Sequence, residues 1–352
     1  MGAHAAATEV GGVDLRHAWA TDYDRDTCAT YARNVPGASE NTVHEMDIKA
    51  FAPMVDSLEA IDGLAFGFPC NDFSSVGQKL GFKGDFGPLY AYGVHVLRST
   101  QPKWFVAENV GGMRSSDDGV AFRKILADLA GAGYTLTPHL YKFEKYGVPQ
   151  NRHRIMIVGI RNDLDLKFGV PSPDPYLGVD VSSKTALEVP EISPETPNHG
   201  FSKITDRVAE RLGHIEPGEN AFNATLPEHL RLNVTGATLS QIYRRLEPSK
   251  PSYTVTGSGG GGTYVYHWSD NRPLTNRERA RLQTFPDSFE FVGKMDSVRK
   301  QVGMAVPVQG AKVIFKALFQ TFLGETYETI SPNLERFMPE LDDSNLTAES
   351  AA

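Results

Sequence analysis

Leu64-Ala65-Phe66-Gly67-Phe68-Pro69-Cys70 is a short apolar run that ends at a glycine, a proline and a thiol. A run of this length between such breakers predicts a buried strand of a parallel sheet. Ligands in open α/β sheets bind just beyond the carboxyl ends of these strands, so Cys70 occupies the position of a nucleophile. A lone cysteine beside apolar residues is also commonly an inert core residue, so its role depends on its neighbours.

Similar apolar runs lie on both sides of this segment, and each ends in polar residues. Leu15 to Ala20 leads to Asp22-Tyr23, and Trp104 to Ala107 leads to Glu108-Asn109. Strands that alternate with helices predict an α/β fold with a doubly wound parallel sheet. The stretches with helical character are residues 25–34, 89–99, 121–132, 276–283 and 308–323.

Two further strands are predicted at residues 134–143 and 155–160, joined by a connection short enough for an antiparallel pair at the sheet edge. The glycine run 257–262 predicts a flexible turn rather than a phosphate loop, because no Lys-Ser/Thr pair follows it.

The composition changes near Pro171, where a segment rich in proline, serine and aspartate begins. This change predicts a larger domain over residues 1–171 and a smaller mixed domain over 172–271. Residues 272–325 are predicted to return to the larger domain as a hinge and helices. The acidic tail 326–352 is predicted to be loosely held.

The chain has 352 residues, 40% of them hydrophobic. It can bury a large core, and it lacks an apolar stretch of about 18 residues, so we predict no membrane span. The start of the chain lacks the basic and apolar regions of a secretory signal, which predicts a cytoplasmic protein. The two cysteines are too few for a thiolate zinc site and no histidine falls in a ligand spacing, so we predict no metal site.

The net charge of −8 argues against a generally basic surface that would bind nucleic acid. Two segments nevertheless carry a local excess of basic residues: 142–167 has six against three acids, and 272–300 has seven against four. Such an excess can guide a polyanion, but it is equally consistent with two solvated charged faces.

If residues 64–68 and 104–107 form neighbouring parallel strands, Cys70 and Glu108 emerge at the same edge of the sheet. A thiolate can add to a heterocycle while a carboxylic acid protonates a ring nitrogen, which combines covalent and general acid catalysis. Arg152 and Arg154 alternate at the start of the next strand, so their side chains point to one face. They could bind a carbonyl oxygen, Glu108 or a phosphate, although arginine at a strand entrance is usually surface charge.

Three segments resemble ordered signature motifs of the DNA cytosine-5 methyltransferases of restriction-modification systems. They are Gly67-Phe68-Pro69-Cys70-Asn71-Asp72-Phe73-Ser74, Glu108-Asn109-Val110 and Gln150-Asn151-Arg152-His153-Arg154. The resemblance continues through residues 251–256, 274–287 and 301–307, and it covers about residues 1–325.

The resemblance implies methyl transfer to C5 of a cytosine flipped out of double-stranded DNA. Cys70 would attack C6, Glu108 would contact N3 and the exocyclic amine, Arg154 would bind O2, and Arg152 would hold the arrangement. Residues 172–271 would be the target recognition domain, and residues 74–87 a loop that closes over the base. The further residues implied to contact DNA are Asn109, Ser74, Gln78 and Thr256.

The cofactor implied by the resemblance is S-adenosylmethionine. Asp22 would hold the ribose hydroxyls, with Tyr23 beside the adenine, as an acid at a strand end does in dinucleotide folds. Asp47 and Ile48 would meet the adenine edge. The remaining cofactor residues are Gly67, Pro69 and Leu89 on the methionine side, and Ala305 and Val306.

The implied partner is double-stranded DNA, with a cognate restriction endonuclease that is not stably bound, and the protein is expected to be a monomer. Two other interpretations stay open. One is a non-catalytic DNA-binding remnant that cannot bind cofactor. The other is a transfer RNA methyltransferase of the same family, against which the long recognition region argues.

The sequence departs from the family pattern at two places. The first strand and the Phe-x-Gly-x-Gly loop are absent, and Met1-Gly2-Ala3-His4 lies inside the helix expected to follow them. We expect a truncated start rather than a defective copy, because the other motifs are intact. Met304 stands where the family often has asparagine, which puts one hydrogen bond to the cofactor in doubt.

Overall fold

The computed structural model describes residues 1–68, 89–232, 241–257 and 261–339. The chain forms two compact units, which are described separately here. The first unit comprises Met1–Asp47, Lys142–Arg152 and Pro171–Tyr327. The second comprises Ile48–Tyr141, His153–Val170 and the segment from Glu328 onward.

The described residues contain short and long strands in both units. They are β1 (Ala20–Asp22), β2 (Val43–Glu45), β3 (Gly63–Gly67), β4 (Trp104–Val110), β5 (Tyr134–Lys142), β6 (His153–Arg161), β7 (Val170–Pro171) and β8 (Thr329–Ile330).

The α-helices of the described residues are distributed along the whole chain. They are α1 (Gly2–Val10), α2 (Arg25–Asn34), α3 (Ile48–Phe51), α4 (Tyr90–Thr100), α5 (Val120–Ala130), α6 (Ser183–Glu188), α7 (Asp206–Gly213), α8 (Asn276–Leu282), α9 (Met295–Met304) and α10 (Val308–Leu323).

The second unit is built on a four-stranded sheet in the order β3-β4-β6-β5. β3 and β4 are parallel, as predicted, and Gly67 pairs with Glu108 at their carboxyl ends. β6 is antiparallel to β4, with Val110 opposite Arg154. The predicted α/β class is therefore confirmed, and the predicted last two strands lie at one side of the sheet with β5 outermost.

The core of the second unit consists of the buried residues of its strands together with the apolar faces of α4 and α5. In β4 and β6 successive residues are buried, which places core side chains on both faces of the sheet. Phe105 and Ala107 of β4 are completely buried, as are Phe122, Ile125 and Leu126 of α5. The glycine at 131 ends α5, where its amide bonds to the carbonyl of Ala127.

The first unit contains the parallel pair β1 and β2, whose residues Asp22 and Glu45 lie opposite each other. Its main core gathers apolar residues from α8, α9 and the chain before them, among them Val255, Leu282 and Val302. A second cluster, with Leu212, Ile215, Ala221, Leu226 and Tyr266, lies in the part predicted as a smaller domain. The domain boundaries given by the sequence stay a prediction.

α9 and α10 are the most apolar consecutive helices of the described residues by the criterion of a membrane span. The stretch Met295–Leu323 is long and apolar enough to cross a membrane, and half of its most apolar part is buried inside the protein. Ala305 to Pro307 separates the two helices. Val313, Ile314 and Leu318 of α10 lie in the interior, where α10 packs against α1.

Three expectations need correction, and one further helix, α9, was not expected. The strand predicted at residues 15–20 is β1, which begins only at Ala20 because Ala20–Asp22 is the part that pairs with β2. The arginines of α8 form neither a basic surface nor a solvated face, because Arg277, Arg279 and Arg281 are all buried. α9 had no counterpart among the predicted helices.

The tail is the third correction. Leu334 and Phe337 are buried, and the Phe337 ring packs edge-on against Phe122 at a centroid distance of 5.3 Å. The side chain of Asn333 accepts a hydrogen bond from the amide of Leu140 and donates one to its carbonyl. The tail is therefore anchored as far as Pro339, because its few apolar residues find partners in the second unit.

Candidate active site

Glu108 and Arg154 form an ion pair at the end of β4 and the start of β6 in the second unit. Glu108 lies opposite Met156 in the antiparallel pair, so Arg154, two residues away, projects on the same face of the sheet. Arg154 Nε lies 2.8 Å from Glu108 Oε1, and the two side chains are only 13% and 21% exposed. Arg154 also donates through Nη1 to the carbonyl of His153. These contacts hold the carboxylate of Glu108 beside the guanidinium of Arg154.

The residues next to this pair position the end of β3. The side chain of Asn109 is buried, and its Nδ2 donates over 3.0 Å to the carbonyl of Phe68, two residues before Cys70 in the sequence. A Cβ on Gly67 would lie 3.5 Å from Glu108 Oε2, in ordinary van der Waals contact. Leu89 precedes Tyr90, whose ring lies 6.3 Å from that of Phe68. The side chain of Asn109 thus holds the backbone, and its predicted contact with DNA stays a prediction.

Arg152 is in the first unit and has a different environment from Arg154. Its side chain is 1% exposed. The guanidinium donates to three backbone carbonyls, those of Val255 at 3.0 Å, Gly303 at 2.8 Å and Ala305 at 2.9 Å. These contacts tie together three segments that are far apart in sequence, which is the geometry of a positioning residue.

Thr256, the predicted DNA-contacting residue of the first unit, is exposed, but its backbone is tightly held. The buried Arg279 donates to its carbonyl over 2.6 Å, and burial together with the nearby Arg299 lowers the pKa of Arg279 to about 10. A Cβ on Gly303 would lie 1.9 Å from the backbone nitrogen of Gly257, so α9 crosses this segment backbone to backbone. Arg279 and Gly303 had no assigned role in the sequence, because their partners are main-chain atoms.

Asp22, Tyr23 and Asp47 gather where the parallel strands β1 and β2 end in the first unit. The carbonyl of Asp22 accepts from the amide of Met46, and its carboxylate accepts from the amide of Asp24 over 2.8 Å. Burial raises the pKa of Asp22 above its ordinary value. Tyr23 is 69% exposed, and Asp47 is also exposed.

The other predicted site residues are distributed over both units. Ile48 begins α3 in the second unit, and Ala305 and Val306 form the junction between α9 and α10 in the first. The side chain of Met304 is 71% exposed. Cys70, Pro69, Ser74 and Gln78 lie outside the described residues. Within the described ranges, three or more histidine, cysteine, aspartate or glutamate side chains nowhere gather as a metal site would require.

The C-5 cytosine-specific DNA methylase family matches residues 1–320 of the chain. The chain is 52% identical to the type II methyltransferase M.BbvI of Brevibacillus brevis, over 92% of this chain and 87% of that protein. It is 34% identical to the type II methyltransferase M.NgoFVII of Neisseria gonorrhoeae, over 91% of this chain and 86% of that protein.

A solved structure shares the fold. It is that of a putative DNA modification methyltransferase encoded within a prophage (E. coli), which matches with a TM-score of 0.65 and 21% identity over 92% of this chain and 96% of that one. The family match and the two sequence relatives together identify the enzyme class. The chain belongs to the C-5 cytosine-specific DNA methylases and is a cytosine-5 methyltransferase of the restriction-modification type.

Proposed function

We propose that the protein methylates C5 of a cytosine within a specific sequence of double-stranded DNA, using S-adenosylmethionine and a transient bond between Cys70 and C6 of a flipped base. The single observation that carries this proposal is the ion pair of Glu108 and Arg154 beside the end of β3, the strand that leads to Cys70.

The two polar side chains of this pair match the edge of a cytosine. A carboxyl group can donate a proton to N3 and accept a hydrogen bond from the exocyclic amine, while a guanidinium can donate to O2. Protonation at N3 makes C6 more electrophilic, so that a Cys70 thiolate can add there and leave carbanion character at C5. C5 would then take up the methyl group that the cofactor supplies, and loss of the C5 proton and of the thiolate would restore the aromatic ring. The base must leave the helix stack for this attack on its face.

The residues of β1 and β2 fit S-adenosylmethionine by the chemistry of their side chains. The half-buried carboxylate of Asp22 at a strand end is an acceptor for ribose hydroxyls, and the exposed ring of Tyr23 next to it offers a flat apolar face for adenine. Bound S-adenosylmethionine would supply an electrophilic methyl group. Asp47, Ile48, Gly67, Pro69, Leu89, Ala305 and Val306 are proposed to complete the cofactor site.

We further infer that residues 172–271 select the target sequence, and that the enzyme acts as a cytoplasmic monomer whose methyl mark protects DNA from a cognate endonuclease. The buried side chain of Arg152 supports the part of this assignment that includes Thr256. Its hydrogen bonds to Val255 and Gly303 hold the segment of Thr256 against α9.

Methyl transfer from labelled S-adenosylmethionine tests the proposal. Duplex DNA should become labelled, and the same duplex with 5-methylcytosine at the target should not. Unlabelled duplex DNA should compete and transfer RNA should not. Labelling of transfer RNA in preference to DNA, or the absence of labelling while the cofactor binds, would each contradict the proposal.

A further inference from the structure

Lys300, on α9, reaches the turn that follows β1 in the first unit. Its Nζ lies 3.0 Å from Asp24 Oδ2 and 5.4 Å from the centroid of the Tyr23 ring, over which it is placed. Asp24 is itself the N-cap of α2, where its other carboxylate oxygen accepts from the amide of Thr27. One ammonium group therefore contacts both residues that follow Asp22.

The position of Lys300 is fixed by other contacts between α2 and the chain around α9. Thr30 donates to the side chain of Gln301 over 2.7 Å and accepts from the amide of Val292 over 2.8 Å. Asn34 exchanges two hydrogen bonds with the backbone of Glu290. Because these bonds align α9 with α2, Lys300 is directed at the turn by the fold rather than by the chance pose of a long side chain.

Tyr23 is a mostly exposed ring with a cation against it. An ammonium group over an aromatic face is attracted by the ring quadrupole. A ring held in this way has already lost part of its rotational freedom, so a flat ligand that stacks on it needs to order less. Lys300 is therefore placed to prepare Tyr23 for a stacking partner.

We propose that Lys300 is a positioning residue for the adenosine part of S-adenosylmethionine, holding the Tyr23 ring and the Asp22–Asp24 turn in the conformation that binds the cofactor. The inference rests on the proposed function, because it assumes the same cofactor. Nothing in the sequence motifs assigns this role to Lys300.

The charge of Lys300 has a second effect on the same turn. Burial raises the pKa of Asp22, and Asp24 adds to this, whereas Lys300 opposes it. Of the other titratable groups that face the turn, Cys28 lies on α2 and Glu45 on β2, and neither brings a positive charge. Lys300 thus helps Asp22 to stay ionised and able to accept hydrogen bonds from ribose hydroxyls.

Calorimetric titration of the full chain with S-adenosylmethionine tests the inference. Lys300→Met should weaken binding by about three- to tenfold, since an exposed ion pair and a cation–π contact are each worth little. Lys300→Arg, which keeps the charge and can stack on Tyr23, should restore most of the affinity. Lys294→Met removes the same charge from an exposed position at the start of α9 and should bind like the wild type.

Two further readouts separate a positioning role from a general loss of structure. As the pH is lowered, the affinity of Lys300→Met for S-adenosylmethionine should begin to fall at a higher pH than that of the wild type. Without the Lys300 charge, the pKa of Asp22 is higher and its carboxylate protonates earlier. In a double-mutant cycle, Lys300→Met should reduce the affinity for S-adenosylmethionine by a clearly smaller factor in a Tyr23→Leu background than in the wild type. Equal cofactor affinities of the wild type and Lys300→Met would overturn this inference alone. Absence of binding by the wild type would contradict the proposed function itself.

Discussion

Arg152 and Arg154 stand two residues apart, yet their guanidinium groups have different partners. Arg152 is enclosed by backbone carbonyls of Val255, Gly303 and Ala305, whereas Arg154 pairs with the carboxylate of Glu108. The sequence placed both side chains on one face and implied that Arg152 holds the arrangement. The identity of its acceptors could not be predicted, because carbonyl groups leave no mark in a sequence.

This contrast predicts different effects of the same substitution. Arg152→Lys keeps three N–H donors but presents them from one nitrogen instead of a planar fork, so it cannot reach the carbonyls that Nη1 and Nη2 contact. The free energy of unfolding should therefore fall by at least about 2 kcal/mol. Arg154→Lys keeps the positive charge near Glu108, so the free energy of unfolding should change by about 1 kcal/mol or less. Methyl transfer should slow, because lysine lacks the planar fork of arginine. Urea denaturation and initial rates measure the two effects. Equal destabilisation by both substitutions would contradict the assigned roles.

His139 is a buried titratable residue of the second unit. Burial lowers its pKa to about 4, and its ring nitrogens lie within hydrogen-bonding distance of Asn333. A histidine whose folded pKa is lowered favours the native state only while it is neutral. Its contribution is therefore complete above the unfolded pKa of about 6.5 and is lost as the pH falls towards 4.

The pH dependence of unfolding should show this loss. Between pH 7.5 and pH 5 we expect the wild type to lose about 2 kcal/mol through His139, and His139→Gln to lose correspondingly less over the same interval. Urea denaturation at the two pH values measures the difference. The comparison with the variant subtracts the histidines that both proteins share. Identical pH slopes would show that His139 is not responsible.

At the scale of elements, α8 is a helix whose position was predicted but whose side-chain partners were not. Thr275 and Glu278 form a capping box, and Arg272 pairs with the carboxylate of Glu278. Arg277 donates to the carbonyl of Pro197, and Arg281 donates to that of Leu187. The helix was predicted, but its arginines counted as a local excess of charge. These two acceptors are 80 and 94 residues away in sequence, so the burial of the arginines could not be foreseen.

Other elements show which local signals are sufficient. α2 and α10 begin and end where the sequence places them, because α2 has an Asp24 cap and α10 is bounded by Pro307 and Gly324. The start of β1 was predicted wrongly, because a three-residue strand depends on its partner. α9 was missed, and its N-cap residue, Lys294, provides no side-chain cap. Capping residues and helix breakers were therefore sufficient to predict α2 and α10. They were not sufficient for an element such as β1, whose bounds depend on contacts with a distant segment.

α9 crosses the segment of Thr256 at Gly303, and a substitution at this glycine tests the contact. Gly303→Ala would place a Cβ 1.9 Å from the backbone nitrogen of Gly257 and 2.2 Å from the carbonyl carbon of Thr256. Neither backbone atom can rotate away, so we expect a loss of at least about 3 kcal/mol in the free energy of unfolding. Gly178→Ala, with nothing within 4 Å of its Cβ, is the matched control. Equal unfolding midpoints for the two variants would contradict this packing.

At the scale of the whole molecule, the charge of −8 and the buried arginines mean that overall basicity does not account for DNA binding. Recognition of DNA must instead depend on a limited set of exposed side chains, whose phosphate contacts would make affinity fall with salt. The order of motifs along the chain predicted the family correctly. The division into two units could not be predicted, because each unit collects segments that are distant in sequence.

The central claim is that Cys70 forms the bond to C6 of cytosine, and trapping this bond tests it most directly. Duplex DNA with 5-fluorocytosine at the target retains fluorine where a proton must leave, so the adduct cannot resolve after methylation. With S-adenosylmethionine present, the wild type should form a denaturant-resistant complex with this DNA, and Cys70→Ser should form none. Cys28→Ser, which changes the other cysteine of the sequence, should behave like the wild type. A complex formed by Cys70→Ser, or lost in Cys28→Ser alone, would contradict the account.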